Sequence, residues 1–235
     1  MTPTASRTAS PSATSTATVI PKKVISIDFN NGTWGSYADY FPPQSPPGKI
    51  YGIVDDPENP GNKYFEAKVD LRTIVETKDT KIRLYPNLSI VHDGPYAVTF
   101  DVFVGEDFEI PRKQVASFFS IHESTTKWYT PLTVDLRLSD IGYAIFPQHW
   151  KRDDTGFEGL LSPEAKPFLF DQWVNVLVNV EENGIVTVFQ NGIFISSNVI
   201  QLPVMLIRAS HLGLYTNQEC TKMLLQNDNI KFYLF

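Results

Sequence analysis

ASHLGLYTNQECTKMLLQNDNIKFYLF, residues 209–235, reads as two strands separated by a polar link. Side chains on a strand alternate between its two faces, so His211, Gly213 and Tyr215 fall on one side and Leu212 and Leu214 on the other. In the second strand, residues 223–225 and 230–235 are apolar and aromatic, and Asn227-Asp228-Asn229 interrupts them. One strand thus offers a polar row beside an apolar row, and the other supplies core. A β-sandwich uses such strands to present a ligand-facing sheet surface while it buries the opposite one.

The chain upstream repeats this grammar. Residues 24–29 (VISIDF), 51–54, 64–69 and 80–85 (TKIRLY) alternate, and the last of these sets Lys81, Arg83 and Tyr85 against Ile82 and Leu84. In 96–104 (YAVTFDVFV), Tyr96, Val98, Phe100, Val102 and Val104 form an apolar face. Residues 115–122 (VASFFSIH) bring Phe118, Ser120 and His122 into register, and 132–138 (LTVDLRL) set Thr133, Asp135 and Arg137 opposite Leu132, Val134 and Leu136. Asn183-Gly184 and Asn191-Gly192 separate the strands 173–181, 185–190 and 193–196, which predicts an antiparallel meander. Residues 37–48, which contain FPPQSPPG, and DDPENPGN at 55–62 read as loops by their proline and turn residues, and 143–170 reads as irregular. Many strands with Gly, Pro and Asn turns and no long helical pattern predict an all-β antiparallel sandwich, residues 20–235, after a disordered Ser/Thr/Pro-rich linker, residues 1–19.

Composition narrows the function. The formal net charge of −6 argues against a general nucleic-acid or anionic-membrane surface. No apolar run approaches the roughly 20 residues of a membrane-spanning helix. The single cysteine, Cys220, rules out an internal disulfide framework. A Ser/Thr/Pro tract is typical of stalks between modules of exported proteins, so the expected setting is extracellular and the expected state a monomer. The carboxylates and amides of 55–62 allow a structural calcium, but their spacing is not that of an EF-hand loop.

The order FDVFV (100–104), WVNVLVNV (173–180), GIVTVFQNG (184–192), HLGLYT (211–216) and NDNI (227–230) resembles the concanavalin A-like jelly-roll superfamily, and within it the polysaccharide lyases, over about residues 24–235. The alginate-lyase branch carries an arginine-rich strand, a Q-(I/V)-H strand and a K-A-G-x-Y-x-Q strand. Ser120-Ile121-His122 stands where Q-I-H would be, with serine for glutamine. His211-Leu212-Gly213-Leu214-Tyr215 resembles K-A-G-x-Y with histidine for lysine, and Gln218 follows one residue late. Arg83 stands in for the arginine strand, and Ala209 occupies the place of a tyrosine expected just before the K-A-G piece.

The resemblance implies β-elimination on a uronic-acid polysaccharide. That reaction needs the substrate carboxylate neutralised, the enolate-like charge stabilised, a base for the C5 proton and an acid for the leaving oxygen. Arg83 or Arg137 suits a two-pronged carboxylate contact. His122 and Tyr215 suit base and acid, with Lys81 and His211 assisting and Tyr85, Ser120 and Gln218 completing a subsite for an acidic polysaccharide. Trp128, Tyr143 and Trp150 are candidates for stacking on sugar rings. No metal or other cofactor is required. A non-catalytic carbohydrate-binding module on the same scaffold is the alternative. A jelly-roll glycoside hydrolase ranks last, because the E-x-D-x-x-E strand that would pair its carboxylates is absent.

Overall fold

The computed structural model describes residues 20–35, 38–40, 49–70, 82–84, 87–108, 110, 116–122, 132–150, 157–158, 165–200, 206–207, 209–216 and 222–235. The tract 1–19 and Cys220 lie outside these. The first sheet contains β1 (Lys23–Ile27), β3 (Lys49–Asp55), β4 (Lys63–Asp70), β8 (Tyr96–Val104), β13 (Trp173–Val180), β14 (Ile185–Gln190), β15 (Ile193–Val199) and β18 (Lys222–Leu234). The second contains β2 (Ala38–Tyr40), β5 (Ile82–Leu84), β6 (Asn87–Leu88), β9 (Ala116–His122), β10 (Leu132–Ser139), β11 (Gly142–Trp150), β12 (Phe157–Glu158) and β17 (Ala209–Thr216). A small ladder joins β7 (His92–Asp93) to β16 (Leu206–Ile207).

The first sheet runs β15-β14-β13-β8-β18-β4-β3, with β1 also on β18; the second runs β12-β11-β10-β9-β17-β6-β2, with β5 also on β17. The ladders that build both sheets are antiparallel, and no α-helix occurs among the described residues. The architecture is a jelly-roll β-sandwich.

The inner faces follow from the alternation. Val98, Phe100 and Val102 on β8 and Val174, Val176 and Val178 on β13 are fully buried. They meet the second sheet through Phe119, whose ring lies 6.3 Å from Phe100 and 6.1 Å from Phe232. Fully burying such a side chain contributes on the order of 1.5–3 kcal/mol, so this seam fixes which face of each sheet is core. Trp34, 1% exposed, extends the core, edge-on to Phe29 at 4.6 Å and Phe65 at 4.8 Å.

The two halves of 209–235 do not pair with each other. β17 joins the second sheet and β18 the first. Asn227-Asp228-Asn229 does not end a strand; it sits inside the 13-residue β18 beside a bulge between Asp228 and Lys231. Asn229 takes φ 52°, a left-handed conformation that asparagine tolerates. The bulge lies where one edge of β18 passes from β4 (Lys222 to Asn227) to β1 (Ile230 to Leu234). A second departure from expectation is β11, which occupies part of the span read as irregular. The tight turn at Gly142, φ 96°, returns the chain from β10, and Pro147 interrupts the alternating pattern without breaking the ladder.

Both Asn-Gly turns form as expected. Asn191 and Gly192 have φ 50° and 74°, the signs a two-residue hairpin turn requires. Gly184, φ 79°, also lies against the chain: a Cβ there would stand 2.5 Å from the carbonyl oxygen of Ile200. Gly184→Ala is therefore expected to lower unfolding free energy by about 1–2 kcal/mol, measured by denaturant titration. Gly192→Ala, with no heavy atom within 4 Å of the new Cβ, carries the backbone strain alone and is expected to lose less.

Candidate functional site

Phe119 points into the sandwich, and its ladder partners Val134 and Leu212, both 0% exposed, share that side. The alternate positions Ser120, Thr133 and His211 form the other face of the second sheet. A bulge between Val134 and Asp135 keeps Ser117 in line with Asp135 on that face. This surface is polar and yet buried: Ser117, Ser120, Thr133, Asp135, Gln148 and His211 are each at most 7% exposed.

The register arranges the strands in rows. One row runs Asn87–His211–Ser120–Thr133–Gln148. The next runs Arg83–Tyr215–Ser117–Asp135–Phe146. His122, opposite Ala209, is one step beyond the first row, and Arg137, opposite Ala144, one step beyond the second. Neighbouring positions in a row are ~4.8 Å apart; along the strands the two rows are about 6.6 Å apart on β10 and β11, but about 10 Å on β9 and about 13 Å on β17, where the bulges intervene, so these backbone positions extend over the span of several sugar residues. Arg83, Tyr215, His211, Ser120, His122 and Arg137 thus occupy one region of one sheet. Lys81, Tyr85 and Gln218 lie outside the described residues.

The described side chains at the centre form a hydrogen-bonded string. The Thr133 hydroxyl donates to Asp135 Oδ2 at 2.8 Å, and the Gln148 amide nitrogen donates to the same oxygen. Arg137 Nη1 donates to Gln148 Oε1 at 3.0 Å, and its guanidinium carbon lies 5.3 Å from the centre of the Phe146 ring, within cation–π range. Asp135 Oδ1 is buried without a hydrogen-bond partner among the described residues. Burial pushes the Asp135 carboxyl above the usual carboxylate range, against the opposing pull of the Gln148, Thr133 and Ser117 side chains and the Arg137 charge. Arg137 is the cation of this string, and a guanidinium is suited to an anionic ligand.

The sequence had marked Thr133, Asp135 and Arg137 as one strand face but gave Asp135 no role. Gln148 was missed because its strand was not recognised; the signal available was the Gly142 turn following an alternating strand. Tyr143 is not a stacking residue. Its hydroxyl accepts from the Ile110 amide at 3.1 Å and donates to the Ile110 carbonyl at 3.3 Å, and its ring is edge-on to Phe108 and Phe170. Trp128 and the Trp150 side chain lie outside the described set. Among the described residues the exposed tryptophan is Trp173, 40%, on the first sheet.

In the 55–62 loop the Asp56 carboxylate is engaged within its own turn. Asp56 Oδ1 accepts from the backbone amides of Glu58 and Asn59, and Oδ2 accepts from the side-chain amides of Asn59 and Asn62. These donors, the Asn59 and Asn62 side chains foremost, lower its pKa to about 2. The carboxylate braces its own turn. No group of three or more His, Cys, Asp or Glu able to hold a metal ion occurs among the described residues.

No protein-family model matches the chain, and no curated protein matches it. Solved structures do. The cellulose-induced protein Cip1 is similar at 12% identity and TM-score 0.62, over 88% of this chain and 96% of that one. The alginate lyase Aly36B, in complex with alginate trisaccharide, is similar at 15% identity and TM-score 0.54, over 92% of this chain and 100% of that one. Domain 4 of AbnA, a GH43 extracellular arabinanase from Geobacillus stearothermophilus, in complex with arabinotriose, is similar at 15% identity and TM-score 0.52, over 89% of this chain and 90% of that one. At these identities the likeness establishes a shared fold, the jelly-roll β-sandwich.

Proposed function

We propose that this chain is an exported polysaccharide lyase that cleaves a uronic-acid polysaccharide by β-elimination. The observation that carries the reading is the row Arg83–Tyr215–Ser117–Asp135, with His211 in the adjacent row and His122 beside it. Cationic, phenolic and imidazole residues from strands distant in sequence converge on one sheet region. In the reaction, His122 takes the C5 proton, the C4–O bond breaks as the C4–C5 double bond forms, and Tyr215 protonates the leaving oxygen. Arg83 neutralises the uronate carboxylate and the charge developing beside it, with Arg137 and His211 as further donors. The alginate trisaccharide held by Aly36B on the same fold is consistent with this substrate class.

A second reading, a non-catalytic carbohydrate-binding module, is favoured by one feature. Ala209 stands opposite His122 in the ladder, at the place where the lyase pattern asks for a tyrosine. The arabinotriose complex of domain 4 of AbnA supplies a precedent for glycan binding on this fold. Incubation of the full chain with alginate, glucuronan and heparin-type substrates, followed by absorbance of the unsaturated uronate, separates the two. The expected result is a steady rise with at least one polyuronate; retained binding with no rise on any would establish the module reading.

A further inference from the structure

The outer face of the first sheet carries a second constellation that the proposed reaction does not use. Trp173, Phe103, Gln226 and Glu66 form one row across β13, β8, β18 and β4. Trp173 is the exposed tryptophan among the described residues, in edge contact with Tyr64 at 5.7 Å and tilted against Phe103 at 6.0 Å. These neighbours hold the indole against the sheet while 40% of its surface remains in solvent. The Gln226 side chain ties the patch together, donating to Glu66 Oε2 at 2.9 Å and to the Tyr64 hydroxyl at 3.2 Å.

The next row supplies acceptors. Asp101 Oδ1 accepts from the Asn175 amide at 2.7 Å and Oδ2 from the Asn229 amide at 2.8 Å, both in exposed hydrogen bonds. Each oxygen keeps a second lone pair, and Glu66 keeps Oε1. An indole face beside fixed carboxylate oxygens has two complements in one ligand: a flat array of C–H groups and neighbouring hydroxyl donors. A pyranose ring with equatorial hydroxyls presents both. The charge of the patch selects further. Burial foremost, and after it the charges of Glu66 and Asp56, raise the pKa of Tyr64; burial foremost, and after it the charges of Asp101 and Asp28, raise that of Asp228. Lys68 and Lys231 stand exposed in the neighbouring rows, so the selection is local: the two carboxylates beside the indole, Glu66 and Asp101, repel a uronate at that point.

We infer that the outer face of the first sheet binds a neutral glycan, stacked on Trp173 and hydrogen-bonded to Glu66 and Asp101. This site is separate from the second-sheet face and takes a ligand of different charge. It does not rest on the lyase reading: a chain that forms no unsaturated uronate is still expected to bind the neutral polymer here.

The test is native-gel affinity electrophoresis of the full chain in gels containing soluble β-glucan, xylan or alginate. Retardation by a neutral polymer is expected, undiminished by saturating alginate oligosaccharide. Trp173→Ala should weaken it at least about tenfold, as removal of a central aromatic anchor does. Trp173 also packs on Tyr64 and Phe103, so Glu66→Gln, which leaves those rings in place, provides the second variant and is expected to weaken retardation about tenfold through loss of a charged acceptor. Migration unaffected by either neutral polymer would overturn the inference. So would retardation that alginate displaces, or retardation that both variants keep. A Trp173-dependent dimer in sedimentation, without glycan binding, would assign the face to a second copy of the chain and also overturn it.

Discussion

Tyr215→Phe is expected to lower kcat on a cleaved polyuronate by on the order of 10²–10⁴, with KM changed only a few-fold and thermal stability unchanged. The substitution keeps the ring and removes one hydroxyl. If that hydroxyl protonates the leaving oxygen, its loss acts in the transition state, which is why the effect belongs in kcat. The ladder gives the reason for choosing this phenol over others. Tyr215 stands opposite Arg83 on one side and Ser117 on the other, in the region that also holds His122 and His211. By contrast, the Tyr143 hydroxyl is spent on the Ile110 backbone, and Tyr96 is fully buried. Initial rates of unsaturated-uronate formation at saturating substrate check the expectation. A variant with the parental kcat would remove Tyr215 from the chemistry and leave the acid to be sought elsewhere on that sheet.

The fold was legible because its strands obey the simplest pattern. Val174, Val176, Val178 and Val180 alternate with exposed or half-exposed residues in a two-sided strand, and the Asn-Gly turns on either side of 185–190 set the hairpins. Where the pattern hid, a local irregularity was responsible. Pro147 lies inside β11 opposite Val134, so proline made a paired strand look like a loop. Asn227-Asp228-Asn229 reads from the sequence as a bulge or a turn, and it is a bulge: the period of two is interrupted there while the ladder to β8 continues on both sides. The site was legible only at the level of faces. Alternation within each strand selected Ser120 with His122 and Asp135 with Arg137, but which strands are neighbours is a property of topology. β5, β17 and β9 come from widely separated parts of the chain, and no local rule brings Arg83 beside Tyr215. The burial of Asp135 was equally invisible, because a Thr-x-Asp-x-Arg strand face reads as solvated when its sheet neighbours are unknown.

That burial has a consequence measurable without any substrate. Asp135→Asn is expected to match the parent chain in stability at low pH and to exceed it increasingly as pH rises. The folded-state pKa of Asp135 lies above the value of about 3.9 for an unperturbed aspartate, with burial as the main cause. Its native environment therefore favours the protonated form. The stability that this preference contributes is fully present below the unfolded pKa and is lost as pH rises through the folded one. Each unit of separation between the two values corresponds to about 1.4 kcal/mol. Asparagine reproduces the neutral carboxyl: its oxygen can accept from Thr133 and Gln148 as Asp135 Oδ2 does, and its amide takes the position of the unpartnered Oδ1. It has no proton to lose, so the variant-minus-parent difference should be near zero below about pH 4, climb above it, and level off beyond the folded pKa. Urea unfolding of both chains across the pH range measures this difference. A deficit that grows as pH rises would mean that the ionised carboxylate is the stabilising form, held by Thr133, Gln148 and the Arg137 charge against its burial, and a difference of constant size at every pH would mean that folding does not shift this carboxyl at all; either result would overturn the expectation.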